Sequence, residues 1–171
     1  IWQGKRFYRT TSSTVNRVSG SARQKTLIPG YVVMQVDFYT GATDKLLVAC
    51  RLCEKATQQK LRTLIDVADA TVANQLDKLL WTFSPTSFVP HCFAGDKLAE
   101  VSPVVLCTES IPTATDHYDV LLNLGNETPL EAGFAKRIIE VVDGTDPDKQ
   151  LARQRYRHYQ AQGYEIRHHR L

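Results

Sequence analysis

The sequence predicts an α/β domain, a three-layer sandwich in which helices cover both faces of a largely parallel or mixed sheet. Short apolar segments alternate with amphipathic segments from residue 34 onward, and the connections between them are short. The chain has 171 residues, of which 43% are apolar, enough for one hydrophobic core and too few for two comfortable ones. The expected topology is Rossmann-like but lacks a phosphate-binding motif.

Five apolar segments predict strands, because they are rich in aliphatic and aromatic residues and are bounded by turn residues. In chain order they are 34–40, 61–69, 103–108, 118–125 and 138–143. Residues 84–96 predict a loop with a short extended core.

Four segments predict helices from the spacing of their apolar residues. They are 43–60, 70–81, a short helix over 129–137, and a last helix that closes on Gly163. Thr43 or Asp44 is the expected N-cap of the first helix. Asp146 is the expected N-cap of the last helix, with Pro147 at its first position.

Charge is distributed unevenly along the chain. Residues 1–33 contain six Lys and Arg residues and no acid, and residues 149–171 contain six against the single acid Glu165. Residues 34–148 contain nine Lys and Arg against 17 Asp and Glu. The two basic ends indicate an anionic partner, which the net charge of +3 would not have suggested.

The first 33 residues are rich in Ser, Thr and Arg and show no apolar period, which predicts a disordered extension. The single methionine, Met34, stands where the ordered pattern begins. The extension is either a functional basic tail or a segment that precedes the true start of the protein, and we favour the second interpretation. Residues 34–171 are expected to form a single domain.

No apolar stretch approaches the roughly 20 residues of a membrane span, and residues 1–30 lack the continuous apolar segment of a secretory signal. We therefore expect no membrane contact. The four cysteines are expected to be reduced thiols in a cytosol.

Neither G-x-x-x-x-G-K-S/T nor G-x-G-x-x-G occurs, and the turn after the first strand holds one glycine, Gly41. Cys50 and Cys53 form a C-x-x-C pair, but they lie on the apolar stripe of a helix, which favours core packing over redox or zinc chemistry. A zinc site would need two more ligands besides these cysteines, and His91 and Cys92 are the only nearby candidates in the sequence.

The histidines indicate no active site either. His91 is expected to be structural or at an interface, and His168 and His169 to be solvated in a frayed C-terminal tail. The sequence thus predicts no catalytic residue, no metal, no cofactor and no small-molecule substrate.

The last predicted helix has two different faces. At about 100° per residue, Lys149, Arg153 and Tyr156 fall within about 60° of one another and form a ridge. The opposite side, which should pack on the sheet, carries Leu151, Ala152 and Tyr159. Arg155 is expected on the packed side, paired with a carboxylate. The ridge is either an anion-binding surface or an ordinary solvated face.

Two segments carry a recognisable pattern. The first is LDKLLWTFSPTSFVPHCFAGD, from Leu76 to Asp96, with its tryptophan, F-V-P-H and A-G. The second is EVVDGTDPDKQLARQRYRHYQAQGY, from Glu140 to Tyr164. Both segments resemble the chi subunit of bacterial DNA polymerase III holoenzyme. The resemblance covers about residues 34–166, and residues 1–33 have no counterpart in the family.

The resemblance implies a small, non-catalytic α/β subunit of the clamp-loader complex in the bacterial cytoplasm. Its implied partners are the psi subunit and the acidic, aromatic-ended C-terminal tail of single-stranded-DNA-binding protein, so that contact with DNA is mostly indirect. Lys149, Arg153 and Tyr156 match the tail-binding positions of the family. Trp81 and Phe88 match its psi-contacting surface, although core filling is the default for such aromatics.

Two other functions are possible for such a sequence. A direct nucleic-acid-binding protein could use the basic ends, but it would need stacking aromatics and a long positive groove, and the acidic middle would repel phosphate. A nucleotide-dependent enzyme is remote without phosphate-binding motifs.

Overall fold

The computed structural model describes residues 34–108, 117–129 and 135–171. Within these ranges, the chain forms seven strands and three helices. The strands are β1 (Gln35–Ala42), β2 (Thr63–Asp66), β3 (His91–Phe93), β4 (Val104–Cys107), β5 (Tyr118–Asn123), β6 (Ala135–Asp143) and β7 (Glu165–Arg170). The helices are α1 (Lys45–Gln58), α2 (Ala70–Thr82) and α3 (Asp146–Ala161).

All seven strands belong to one parallel sheet with the order β3-β4-β2-β5-β6-β1-β7. The predicted α/β class and parallel sheet are confirmed. The order leaves β3 at one edge of the sheet and β7 at the other.

The alternation of side chains along the strands creates two separate hydrophobic clusters. In β6, Ile139 and Val141 pack in a cluster with α1 and α2, whereas Ile138 and Val142 pack in a second cluster with α3. The helices therefore cover both faces of the sheet, which confirms the predicted three layers.

Capping side chains determine where the helices begin. Asp44, one of the two candidates, accepts a hydrogen bond from the Leu47 amide at 2.9 Å and is the N-cap of α1. The expected N-cap of the last helix is wrong by one residue. Thr145 has extended backbone angles and its hydroxyl accepts from the Asp148 amide, so Asp146 lies inside the first turn of α3.

The C-terminal residues form a strand, so the expectation of a frayed tail is wrong. Glu165–Arg170 pairs in parallel with β1, and backbone hydrogen bonds join the Glu165 amide to the Met34 carbonyl at 3.0 Å and the Leu171 amide to the Thr40 carbonyl at 3.0 Å. These bonds hold a strand whose side chains are mostly polar.

The short helix expected over residues 129–137 is also partly wrong. Residues 135–137 belong to β6, where Ala135 is the register partner of Tyr118, and residues 130–134 lie outside the described ranges. The extension 1–33 lies outside them as well, so its disorder stays a prediction. In the part of the chain that the structure describes, no helix has the length and apolarity needed to cross a membrane.

Candidate functional site

A pocket of about 430 Å³ lies between α3 and the sheet edge formed by β6, β1 and β7. The three residues predicted to bind an acidic tail all line it. The full lining is Phe38, Thr40, Val142, Lys149, Ala152, Arg153, Tyr156 and His168.

Two exposed cations stand at the rim of this pocket. Lys149 Nζ lies 3.8 Å from Asp146 Oδ1, a solvent-exposed pair of the kind that contributes little to stability. Arg153 has no hydrogen bond or ion pair to any of the described residues. Both cations are therefore available to an anion that enters the pocket.

The floor of the pocket is aromatic. The rings of Phe38, Tyr156 and His168 lie 5.5–5.8 Å from one another between centroids. Tyr156 shares the face of Lys149 and Arg153, as the helical wheel predicts, but it is half-buried against Phe38 and not exposed. A helical wheel carries no information about which sheet residue lies beneath it. An apolar or aromatic group is thus the natural occupant of the floor.

A buried polar cluster sets the rotation of α3. Arg155 donates from Nε to Glu140 Oε2 at 2.9 Å, and the Tyr159 hydroxyl donates to Glu140 Oε1 at 2.7 Å. The predicted pairing of Arg155 with a carboxylate is confirmed. Burial raises the pKa of Glu140 even though the guanidinium opposes the rise, and burial together with the Glu140 carboxylate raises the pKa of Tyr159.

The first turn of α3 is tied to α1. Lys45 Nζ lies 3.0 Å from Asp148 Oδ1, and the Asp143 amide donates to Asp148 Oδ2 at 2.8 Å. This contact lies at the carboxyl ends of β1 and β6, where α1 and α3 leave toward opposite faces, a place where a crevice can form. Open α/β sheets usually bind ligands in such a crevice. Here the acids Asp146 and Asp148 occupy the first helical turn and disfavour a phosphate.

A second surface lies near the opposite sheet edge. Trp81, in the last turn of α2, and Phe88, in the loop before β3, are each 54% exposed. Their rings stack with centroids 5.3 Å apart and an interplanar angle of 8°. Core filling is therefore the wrong interpretation of these two side chains. A stacked pair of exposed aromatic rings is typical of an interaction surface.

His91 supports this aromatic pair from β3. Its ring lies 5.3 Å from the Trp81 ring, Nε2 is 3.0 Å from Asp77 Oδ1, and Nδ1 is 2.6 Å from the Val89 carbonyl. Both ring nitrogens thus have protein partners. The expectation of a structural or interface histidine agrees with this position.

The C-x-x-C pair lies in the core. Cys50 and Cys53 are fully buried in α1, and burial, with a smaller contribution from Asp44, raises the pKa of Cys50 to about 12. Burial also raises the pKa of Cys53. Such thiols are poor nucleophiles. Among the described residues, no group of three or more His, Cys, Asp and Glu side chains could hold a metal ion.

The sequence did not identify two residues of the pocket floor. Phe38 lies in a predicted strand, but its distance from α3 depends on a strand register that no local pattern encodes. His168 lies in β7, where the alternation of Ile166, His168 and Arg170 was the available signal, a weak one because the intervening residues are also polar.

A parallel α/β domain with a cationic, aromatic-floored pocket at one sheet edge and an exposed aromatic pair at the other is suited to contacts with other proteins. Comparison with known protein families identifies the family to which this domain belongs. Residues 33–167 match the family described as DNA polymerase III chi subunit, HolC. The chain belongs to this family of DNA replication proteins, as the resemblance of its two segments indicated.

The relatives agree with this assignment. The DNA polymerase III subunit chi of Pseudomonas aeruginosa is 37% identical over 141 residues, 80% of this chain and 96% of that protein. The subunit of the same name from Escherichia coli is 32% identical over 122 residues, 70% of this chain and 80% of that protein.

Among solved structures, a DEAD box protein from Methanococcus jannaschii superposes with a TM-score of 0.55 at 11% identity, over 81% of this chain and 42% of that chain. At that identity, the superposition concerns the fold alone.

Proposed function

We propose that the chain is a non-catalytic accessory subunit of the DNA polymerase III clamp-loader complex, which bridges the psi subunit and the C-terminal tail of single-stranded-DNA-binding protein. The observation that carries the proposal is the pocket beneath α3, where two exposed cations stand over an aromatic floor. These partners would meet in the bacterial cytoplasm.

The chemistry of the pocket complements an acidic tail that ends in an aromatic residue. Carboxylates of the tail would form charge-assisted hydrogen bonds with Lys149 and Arg153. The terminal aromatic ring would lie against Phe38 and Tyr156 in edge or offset contact. The cavity of about 430 Å³ is in the size range of pockets that enclose small ligands.

The Trp81–Phe88 pair supports psi binding. An exposed stacked pair offers a large rigid apolar area, and tryptophan is enriched among the residues that dominate binding energy at interfaces. His91 and its partner Asp77 hold the tryptophan from below, so that the surface is ordered before a partner arrives.

The two surfaces lie near opposite edges of the sheet, which supports simultaneous binding. Six strand spacings separate β3 from β7, or roughly 29 Å at about 4.8 Å each. A partner at one edge would leave the other edge free, as a bridging subunit requires.

The proposal is tested by reconstitution. The chain, psi and single-stranded-DNA-binding protein should co-elute as one complex from a sizing column, and psi should elute separately from the DNA-binding protein when the chain is omitted. Single-stranded-DNA-binding protein that lacks its acidic tail serves as the control, and it should elute separately from the complex of the chain with psi. Equal recruitment of the tail-less protein would contradict the proposal.

Direct nucleic-acid binding is a second candidate, favoured by the exposed basic side chains of β7, among them Arg167 and Arg170. The acidic majority of residues 34–148 opposes it. A fluorescent single-stranded oligonucleotide distinguishes the two functions. Tight binding of the isolated chain to the oligonucleotide, lost as salt rises, would favour the second candidate.

A further inference from the structure

His168 contributes the imidazole of the pocket, and histidine is the side chain that pH-dependent switches in proteins commonly use. It is the register partner of Phe38, and its ring stacks on the Phe38 ring at 5.8 Å with an interplanar angle of 25°. The Tyr156 ring is 5.5 Å away. Two aromatic rings therefore hold the imidazole in the floor of the pocket.

The neighbouring histidine behaves differently. His169 points to the other face of the sheet, where its Nε2 lies 2.7 Å from Asp37 Oδ1. Neither ring nitrogen of His168 has a hydrogen-bond partner among the described residues, and the side chain is exposed. The imidazole of His168 can therefore offer a nitrogen to a ligand, whereas that of His169 is engaged within the protein.

The charged groups that face His168 are mostly cations. From α3 come Lys149, Arg153 and the phenol of Tyr156, and Arg170 follows two residues along the same side of β7. The residues of β1 and β6 that line the pocket carry no charge, namely Phe38, Thr40 and Val142. Glu140, the β6 register partner of Phe38, lies on the same face but is buried and bonded to Arg155 and Tyr159. A carboxylate that enters the pocket would therefore meet cationic side chains from α3 beside the imidazole.

We propose that His168 is a specificity-determining residue of this pocket, which takes up a proton when an acidic peptide binds and so tightens binding as pH falls. The inference rests on the proposed function, because its ligand is the acidic, aromatic-ended tail. The imidazolium donates a charge-assisted hydrogen bond to a carboxylate, and the neutral ring at higher pH makes a weaker one. Affinity should be about tenfold higher at about pH 5.5 than at about pH 8.

The test is calorimetric titration of the full chain with an N-acetylated peptide that has the acidic, aromatic-ended tail sequence. At a fixed ionic strength and between about pH 5.5 and 8, the carboxylates of the peptide stay ionised. Buffers of different ionisation enthalpy report the number of protons taken up. His168→Gln removes the titration, His168→Lys makes the charge permanent, and His158→Gln is the control, since His158 is exposed on α3 and does not line the pocket.

Wild type and His158→Gln should take up protons and bind more tightly at the lower pH, whereas both His168 variants should bind with little dependence on pH. Wild-type dependence in His168→Gln, or wild-type binding without proton uptake, would overturn the role of His168 and leave the proposed function standing. No binding at any pH would contradict the proposed function itself, and the role of His168 with it.

Discussion

Arg155 Nε lies 2.9 Å from Glu140 Oε2, and the two side chains are 2% and 0% exposed. The pair joins α3 to the interior strand β6, and Tyr159 donates to the same carboxylate. Because this contact fixes one side of α3 against the sheet, the other side must present Lys149, Arg153 and Tyr156 to the pocket.

We expect Arg155→Ala to lower the free energy of unfolding by about 3–5 kcal/mol, because it leaves the Glu140 carboxylate buried without its cation. Urea unfolding followed by circular dichroism measures the loss. Arg153→Ala, on the exposed side of the same helix, should change stability by no more than about 0.5 kcal/mol. Equal effects of the two substitutions would show that the buried pair is not what holds α3.

Lys149→Ala and Arg153→Ala should each weaken binding of the tail peptide by about 1–3 kcal/mol, the range for hydrogen bonds to charged groups. Binding to wild type should also weaken as salt rises, because the cations are exposed. Peptide titrations at low and moderate salt measure both effects. Arg51→Ala, an exposed cation on α1 across the sheet, is the matched control. Unchanged affinity in both pocket variants would show that this face of α3 is an ordinary solvated surface and does not bind the tail.

Trp81→Ala and Phe88→Ala should abolish co-purification with psi and leave the fold intact, because both side chains are 54% exposed. Affinity pull-down and circular dichroism together measure the outcome. Leu171→Ala truncates another exposed apolar side chain, at the opposite edge of the sheet, and should retain psi. A variant that keeps its circular dichroism spectrum and still binds psi would place the psi interface elsewhere.

The stability of the protein should fall as pH drops below about 4, partly because of Asp37. Burial alone would raise the pKa of Asp37, but hydrogen bonds from His169, Arg137 and Gln35 together outweigh burial and leave the pKa lowered. A carboxylate with a lowered folded-state pKa contributes stability that is present above the unfolded value of about 3.9 and is lost as pH falls through the folded value.

Urea unfolding at several pH values compares wild type with Asp37→Asn. The variant should be less stable near neutrality and should lose less stability on acidification below about pH 4. Asp96→Asn, which replaces an exposed acid in the loop after β3, should keep the wild-type profile. A wild-type acid profile in Asp37→Asn would show that other carboxylates control acid unfolding.

Removal of residues 1–33 should leave the thermal midpoint unchanged, since their composition predicts no packed structure. Differential scanning calorimetry of the full chain and of residues 34–171 compares the two. A fall of several degrees would mean that the extension packs on the domain.

Local sequence patterns predicted most of the fold because most of its helices and strands show the apolar spacing that is typical of their own type of structure. The helix expected over 70–81 is observed as Ala70–Thr82, and the apolar segment 103–108 contains β4. The N-cap of α3 was misplaced because Thr145 and Asp146 are both capable caps. Backbone angles, which the sequence does not encode at single-residue precision, chose between them.

The parts of the fold and of the site that the sequence did not predict depend on contacts between residues far apart in the chain. β7 has little apolar periodicity, and its hydrogen bonds to β1 hold it in the sheet. The half-burial of Tyr156 likewise depends on Phe38, more than 100 residues earlier in the chain. The ridge on α3 was therefore found from the sequence, whereas the pocket floor and His168 required the structure.

The position of β1 between β6 and β7 has a consequence during synthesis. Phe38 is paired with Glu140 on one side and with His168 on the other, so β1, the first of the described strands to leave the ribosome, cannot pair with both neighbours until β7 has emerged. Pairing over such sequence distances slows folding. The pocket between α3 and the sheet is consequently among the last parts of the described domain to be completed, because His168 of β7 belongs to its lining.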